Sequence, residues 1–135
     1  MSNVAVLGNA SGTGTITLAA PVINSDYTIV LPGGISTLTD AATITPDLSS
    51  NSTFTVTLGG NRTMANPTGM VEGQSGSIFI VQDGTGGRTL SWGSYWDFIG
   101  GTAPSLSTTP GAVDRVDFIV RSAGSIHTVF TANYS

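Results

Sequence analysis

The chain has 135 residues, of which 12 carry a formal charge: four Arg, seven Asp, one Glu and no Lys. Its 20 Thr, 16 Ser and 18 Gly make up 40 % of the residues. Helical bundles and coiled coils, which are rich in Ala, Glu, Lys and Leu, are excluded by this composition. A hydrophobic content of 39 % and a net charge of −4 argue against disorder. Four scattered Arg form no basic stripe, so we expect no nucleic-acid partner.

Several chemical features are missing from the sequence. There is no Cys, so neither a disulfide framework nor a thiolate metal site is possible. The N-terminus lacks the basic start and apolar stretch of a signal peptide, and no apolar run approaches the roughly 20 residues of a membrane span. We therefore expect synthesis in a cytoplasm, with no membrane partner and no cofactor.

The low charge itself points to a partner. Charged residues make up 9 % of the chain, whereas a typical soluble domain has about a quarter. A weakly charged protein stays soluble more readily when copies or partners cover its surface. This favours an obligate oligomer or a component of a larger assembly. Separately from the charge argument, we expect a homotrimer.

The first 38 residues predict an extended arm. Thr13, Thr15 and Thr17 alternate with apolar or small residues, and a second strand-like run covers residues 27–31 before Pro32 ends it. Two such strands are not stable alone in water. We expect residues 1–38 to pack on the rest of the chain, on a neighbouring copy or on another protein.

The remaining residues, 39–135, predict one β domain. Phe54, Val56 and Leu58 alternate with threonines, and residues 78–81 form a continuous apolar run. A loop at residues 83–87 and an extended run at 88–92 follow, and residues 116–120 and 126–130 predict a C-terminal β-hairpin. Strands spaced by about ten residues are typical of sandwiches, so we predict an all-β, jelly-roll-like antiparallel sandwich.

Three segments of this domain resemble β-domains of tailed-bacteriophage virion proteins, both tail fibres and head-decoration or head-fibre proteins. They are residues 54–68, 73–93 and 100–104, and they contain Asn61-Arg62-Thr63 and Trp92 in the same order. Residues 14–21 and 27–32 are similar to phage fibre segments. The resemblance implies a non-enzymatic structural protein of the virion.

We predict a capsid decoration (cement) protein on the capsid surface, which binds the major capsid protein and stabilises the shell. Its arm would supply the apolar attachment contacts. The residues predicted for attachment are Val4, Val6, Leu7, Ile16, Leu18, Ile29 and Leu31. The alternative is a tail-fibre tip that recognises a host surface glycan.

Seven other residues are candidates for a subunit interface or a glycan platform. Trp92, Tyr95, Trp96 and Phe98 lie within seven residues and supply either buried contact area or rings on which a sugar stacks. Arg115, Asp117 and Arg121 share one face of a predicted strand, which favours an ion pair between strands or subunits.

Catalysis is not expected. His127 is the only histidine, and the sequence has no Gly-x-Ser-x-Gly elbow, so we interpret His127 as structural or exposed. The glycines around Thr85 lack the Lys-Ser/Thr ending of a phosphate-binding loop and predict a hairpin turn. Asp114 and Asp117 fall on opposite faces of a strand, which makes a shared metal site unfavourable.

Overall fold

The computed structural model describes residues 34–134, which fold into two β-sheets. One sheet has six strands in the order β1-β3-β5-β8-β9-β7, and the other has three in the order β2-β4-β6. The strands are β1 (Ser36–Thr37), β2 (Thr43–Ile44), β3 (Thr53–Leu58), β4 (Arg62–Met64), β5 (Ser75–Gln82), β6 (Leu90–Trp92), β7 (Trp96–Phe98), β8 (Val113–Ser122) and β9 (Ser125–Tyr134). A short 3-10 turn covers Ile99–Gly101.

The first six strands alternate between the two sheets and stack in parallel. β1, β3 and β5 pair in parallel in the larger sheet, and β2, β4 and β6 pair in parallel in the smaller one. Each pair of successive strands is therefore one coil of a short solenoid, and each coil contacts the next. A parallel bridge between Asp47 and Thr68 continues the stacking beyond the smaller sheet.

A hydrophobic core fills the space between the two sheets. Phe54, Val56 and Leu58 point inward from β3 and are at most 1 % exposed, while the alternating threonines face outward. The stacked apolar residues Ile44 and Met64 of the smaller sheet belong to the same cluster. Burying large apolar side chains in this way stabilises the fold by about 1.5–3 kcal/mol each.

The larger sheet continues beyond the solenoid as an antiparallel hairpin. β8 pairs with β5 and with β9, and the turn between β8 and β9 contains Gly124 at φ +84°. β7 then pairs in parallel with β9, which places Trp96 beside Ile126. The predicted C-terminal hairpin is confirmed.

The all-β prediction is confirmed, but a jelly roll is not. Five of the seven strand pairings are parallel, whereas the pairings of a jelly roll are antiparallel. After β1, β3 and β5 the chain crosses to the smaller sheet before it returns, so successive strands of each sheet run parallel. At these corners Asp40 accepts hydrogen bonds from the Arg62 guanidinium and from the Gly59 N–H, which ties the corner after β3 to the corner after β1.

The predicted division into an arm and a β domain stays a prediction, because residues 1–33 lie outside the described range. Ser36 and Thr37, at the end of the predicted arm, pair with Phe54 and Thr55 of β3. In residues 34–134, no helix has the length and apolar character needed to cross a membrane.

Gly76 marks the tightest backbone approach and gives a direct test of the coil packing. A Cβ at Gly76 would lie 1.8 Å from the Ser52 carbonyl oxygen and 2.7 Å from the Phe118 ring. We expect Gly76→Ala to lower the free energy of unfolding by about 1–3 kcal/mol or more, because the obstructing atom is backbone. Urea denaturation followed by circular dichroism measures this.

Gly84→Ala is the matched control, because no atom lies within 4 Å of a Cβ added there. Its effect should stay within about 0.5 kcal/mol. Equal stabilities of the two variants would contradict the close packing of β5 against the Ser52 backbone.

Candidate functional site

Three of the four clustered aromatic residues, Trp92, Trp96 and Phe98, form an edge-to-face network near β6 and β7. The Trp92 ring lies 5.4 Å from that of Trp96 and 5.0 Å from that of Phe98, with interplanar angles of 67° and 70°. Trp96 also contacts Phe118, 6.0 Å away at 88°. Edge-to-face pairs of this kind contribute about 0.5–1.5 kcal/mol each beyond the area that they bury.

The four aromatic side chains differ in how deeply they are buried. Trp96 is 5 % exposed and donates its Nε1–H to the Ala65 carbonyl, so it has no ring face to offer a ligand. Tyr95 is half-buried against Gly124, 3.4 Å from an added Cβ position. Trp92 and Phe98 are half-buried. Of the four predicted residues, Trp96 is therefore buried, and the other three each keep part of their surface exposed.

Trp92 and Phe98 line a surface cavity of about 480 Å³, which we call the aromatic cavity. Its other lining includes the polar side chains of Ser91 and Asp97 and the apolar residue Pro104. Aromatic faces with a few fixed polar groups are the usual lining of a small-molecule site. The Asp97 carboxylate is held by a 2.6 Å hydrogen bond from Ser125 Oγ.

Arg115, Asp117 and Arg121 lie on the outer face of β8, as predicted from the alternation. The Arg115 guanidinium bonds Asp117 at 2.9 Å within the same strand, and Ser77 Oγ donates to Asp117 from β5. Arg115 also lies over the Tyr134 ring, 5.1 Å from its centroid. The pair therefore lies within one strand and needs no second subunit to form.

A second depression, of about 550 Å³, lies on the outer face of β7, β8 and β9. We call it the outer depression. His127 and Asp117 line it together with the exposed apolar residues Ile99, Ile119 and Val129, which are 82, 48 and 52 % exposed. The register places His127 between Asp97 of β7 and Ile119 of β8, on the exposed side of the sheet.

In the Gly-rich loop at residues 83–87, backbone N–H groups donate hydrogen bonds to a carboxylate of the same loop. Asp83 accepts hydrogen bonds from the N–H groups of Thr85 and Gly86 and from the Arg88 guanidinium. The Arg88 hydrogen bonds, aided by these N–H groups, lower the pKa of Asp83 to about 2. Those donors are therefore occupied and do not form an anion cradle. The predicted hairpin turn is wrong, because β5 and β6 lie in different sheets and the loop is a corner between them.

The seven predicted attachment residues lie outside the described range, since Leu31 is the last of them and the described chain begins at Gly34. Their role stays a prediction. They are Val4, Val6, Leu7, Ile16, Leu18, Ile29 and Leu31.

Reasoning from the sequence missed Asp97 as a site residue and considered Asp114 only as a metal ligand. Asp97 stands between Trp96 and Phe98, and its position among aromatic residues was the available signal. Asp114 is 1 % exposed and accepts hydrogen bonds from Ser107 and from the Asn133 N–H. Asp114 thereby ties the loop before β8 to the end of β9. The local sequence carries no sign of this contact, because its partners are up to 19 residues away.

Residues 44–125 match the protein family described as "Putative phage tail fibre C-terminal domain". The match covers more than half of the chain, from β2 to the start of β9. The chain belongs to this family. A search of curated proteins and a search of solved structures each return no match.

Membership of the phage tail fibre C-terminal domain family makes the protein a structural component of a bacteriophage virion. The predicted virion β-domain is therefore confirmed at that level. The described part of this domain holds, within residues 34–134, no group of three or more His, Asp or Glu positioned to bind a metal ion.

The low pKa of Asp83 predicts a pH dependence of stability. Its folded-state pKa of about 2 lies below the ordinary value of 3.8. The stabilisation is therefore fully present above the ordinary value and is lost as the pH falls through about 2. We expect Asp83→Asn to flatten the fall in melting temperature between about pH 5 and pH 2, as measured by calorimetry at several pH values.

Glu72→Gln is the control for this experiment. Glu72 is exposed and makes no hydrogen bond through its side chain to the described residues. Its removal should leave the profile of the wild type unchanged. If the melting temperature of Asp83→Asn depended on pH in the same way as that of the wild type, the lowered pKa of Asp83 would be contradicted.

Substitution by Phe should reduce stability unequally at the two tryptophans. Trp96 Nε1 has a partner, whereas Trp92 Nε1 is buried and has none among the described residues. Trp96→Phe should cost about 1–3 kcal/mol more than Trp92→Phe, because it also leaves the Ala65 carbonyl without its donor. Chemical denaturation of both variants measures the difference, and equal losses would contradict it.

Proposed function

We propose that the chain is the distal part of a phage tail fibre and that it binds a glycan on the host surface. The family match over residues 44–125 carries this proposal. It favours the tail-fibre alternative over capsid decoration, because the family's description names the C-terminal domain of a tail fibre. The end of a fibre is the part of a virion placed to meet the cell first.

The aromatic cavity supports a glycan as the ligand. Sugar rings have apolar faces that pack on aromatic rings, and hydroxyl groups that donate to carboxylates. In the cavity, Trp92 and Phe98 are placed to pack against a sugar face, and Asp97 is placed to accept a hydrogen bond from a sugar hydroxyl. Ser125 fixes the Asp97 side chain before any ligand arrives, which reduces the entropy lost on binding.

We propose binding without cleavage. Glycoside hydrolysis requires two carboxyl groups about 5–10 Å apart on either side of the scissile bond. Asp97 is the one carboxylate in the lining of the aromatic cavity. The proposal fails if purified protein releases reducing sugar from host surface polysaccharide.

The homotrimer remains a proposal, now with a candidate contact. The outer depression exposes Ile99, Ile119 and Val129 on one sheet face. Covering such side chains with a second copy removes apolar area from water. Sedimentation equilibrium of the full chain tests this, and a monomer mass rules it out.

A blocking substitution tests the glycan site without touching the core. Ala103 is exposed at the aromatic cavity, so Ala103→Trp should fill it, and Asp97→Asn should weaken hydrogen bonds to sugar hydroxyls. We expect each variant to bind host cells at least about tenfold more weakly, which corresponds to about 1.4 kcal/mol. Flow cytometry with labelled protein measures the binding.

Thr57→Trp is the matched control, because Thr57 is exposed on β3, outside the lining of the aromatic cavity. It should bind host cells like the wild type. Unchanged binding of both Ala103→Trp and Asp97→Asn would sink the proposed site.

A further inference from the structure

The aromatic cavity has one charged side chain in its described lining, that of Asp97. Asp97 is exposed, and its Oδ2 accepts a 2.6 Å hydrogen bond from Ser125 Oγ. The main-chain carbonyl of Asp97 accepts a second bond, of 2.8 Å, from Thr128 Oγ1. Within residues 34–134 no Arg or His forms an ion pair with this carboxylate. The cavity therefore presents a fixed negative charge that no neighbouring cation neutralises.

The cationic side chains of the protein lie elsewhere. The sequence contains four Arg, one His and no Lys, and none of these five residues belongs to the described lining of the aromatic cavity. Three of the Arg are already paired with an aspartate of their own, at 2.7–2.9 Å. The fourth, Arg121, lies on the outer face of β8. A negatively charged ligand thus finds no cationic side chain in the described lining of the cavity.

This charge balance does not depend on the residues outside the described range. Residues 1–33 contain no Lys, Arg or His, and their one charged side chain is that of Asp26. Wherever these residues lie, their side chains add no positive charge to the cavity. The net charge of the chain, −4, has the same sign as the charge of Asp97. Both the local and the overall charge therefore disfavour an anionic ligand.

His127 is a neighbour of Asp97 that gains a positive charge in acid. It lies beside Asp97 in the register of β7 with β9, and it lines the outer depression instead of the aromatic cavity. Asp117 of β8 lines the same depression and is paired with Arg115. Ligands that differ in charge should therefore be compared at about pH 8, where a histidine carries little charge.

The other polar side chains of the cavity offer no free N–H donor to an acidic group. Trp96 Nε1 donates to the Ala65 carbonyl, and Trp92 Nε1 is buried. Ser91 Oγ lies 2.9 Å from Thr63 Oγ1, with which it shares a hydrogen bond. The described lining offers aromatic surface and a carboxylate, and a carboxylate accepts hydrogen bonds but donates none. A ligand for this cavity must therefore bring the donors.

We propose that the aromatic cavity selects a neutral sugar with free hydroxyl groups and discriminates against acidic sugars. This inference rests on the proposed glycan-binding function and adds the chemical class of the glycan. A sugar hydroxyl donates to Asp97 while the apolar face of the ring packs on Trp92 and Phe98. A uronic acid instead brings a second carboxylate close to Asp97, and the two negative charges repel each other.

A glycan array tests this selectivity with matched probes. Oligosaccharides that end in glucose, galactose or mannose are printed beside counterparts that end in the corresponding uronic acid, together with fragments of the host surface polysaccharide. The labelled full chain is titrated over the array at about pH 8 and about 0.1 M salt. We expect each bound neutral oligosaccharide to bind at least about fivefold more tightly than its uronic acid counterpart, the factor that corresponds to two like charges about 4 Å apart in water.

The array distinguishes failure of the selectivity from failure of glycan binding. Binding of a uronic acid probe as tightly as its neutral counterpart overturns the selectivity and leaves glycan binding intact. Binding of no probe, the host polysaccharide included, overturns glycan binding and the selectivity with it.

Asp97→Asn tests whether the carboxylate causes the selectivity. The amide keeps the size of the side chain and one acceptor oxygen but carries no charge. Binding of the neutral probes should weaken, while the ratio of neutral to acidic affinity falls from at least about fivefold to about one.

Glu72→Gln is the matched control, because it removes one negative charge at an exposed position outside the described lining of the cavity. Its ratio of neutral to acidic affinity should equal that of the wild type. An unchanged ratio in Asp97→Asn, or the same fall in Glu72→Gln, overturns the role of Asp97.

Salt separates the effect of charge from that of shape without any substitution. Between about 0.1 M and about 1 M salt the Debye length falls from about 10 Å to about 3 Å, which screens exposed charges. The wild-type ratio should therefore fall as salt is added, and the ratio of Asp97→Asn should stay near one. A wild-type ratio that does not change with salt would show that shape excludes the acidic sugars, and it would overturn the proposal.

Discussion

The fold depends on the in-register stacking of apolar side chains from coil to coil. Phe54 lies beside Ile78 and Val56 beside Ile80 in the larger sheet, and Ile44, Met64 and Trp92 follow one another in the smaller sheet. Because side chains alternate along a strand, a slip by one residue would turn the threonine rows inward and the apolar rows outward. The register of every coil is therefore fixed by its neighbours.

Four of the few charged residues form ion pairs at corners of the solenoid. Asp40 with Arg62 ties two successive corners together, and Asp83 with Arg88 closes the corner between β5 and β6. Both carboxylates gain hydrogen bonds from guanidinium and backbone N–H groups, and the pKa of each is lowered. On the outer face of the larger sheet, Arg115, Asp117 and Arg121 lie among hydroxyl and apolar side chains. A surface of this kind suits a protein that meets copies of itself or an uncharged ligand.

Local sequence patterns predicted the strands but not their pairing. The alternation of threonine with Phe54, Val56 and Leu58 defined β3, and the run from Ile78 to Val81 falls within β5. The same alternation is compatible with parallel and antiparallel partners. The pairing instead involves contacts between residues far apart in the sequence, such as that of Asp40 with Arg62 across 22 residues. No short window of sequence contains both.

The candidate site, too, could be predicted only in part from the local sequence. Four aromatic residues within seven positions were predicted to form a subunit interface or a glycan platform, and three of them, Trp92, Trp96 and Phe98, make edge-to-face contacts. Which rings are buried depends on the pairing of β7 with β9, about 30 residues further along the chain. That pairing turns Trp96 into the core and leaves Asp97 on the surface beside Phe98. Asp97 thus became part of the cavity for a reason that lies outside its own segment.

The position of the hairpin in the chain has a consequence for biosynthesis. β8 and β9 are the strands joined by the shortest connection, and both β5 and β7 pair with them. Since synthesis runs from the N-terminus to the C-terminus, both strands are made after β5 and β7. β5 therefore lacks its antiparallel neighbour until the hairpin has been made, and in that interval its unpaired edge is open to pairing with other chains.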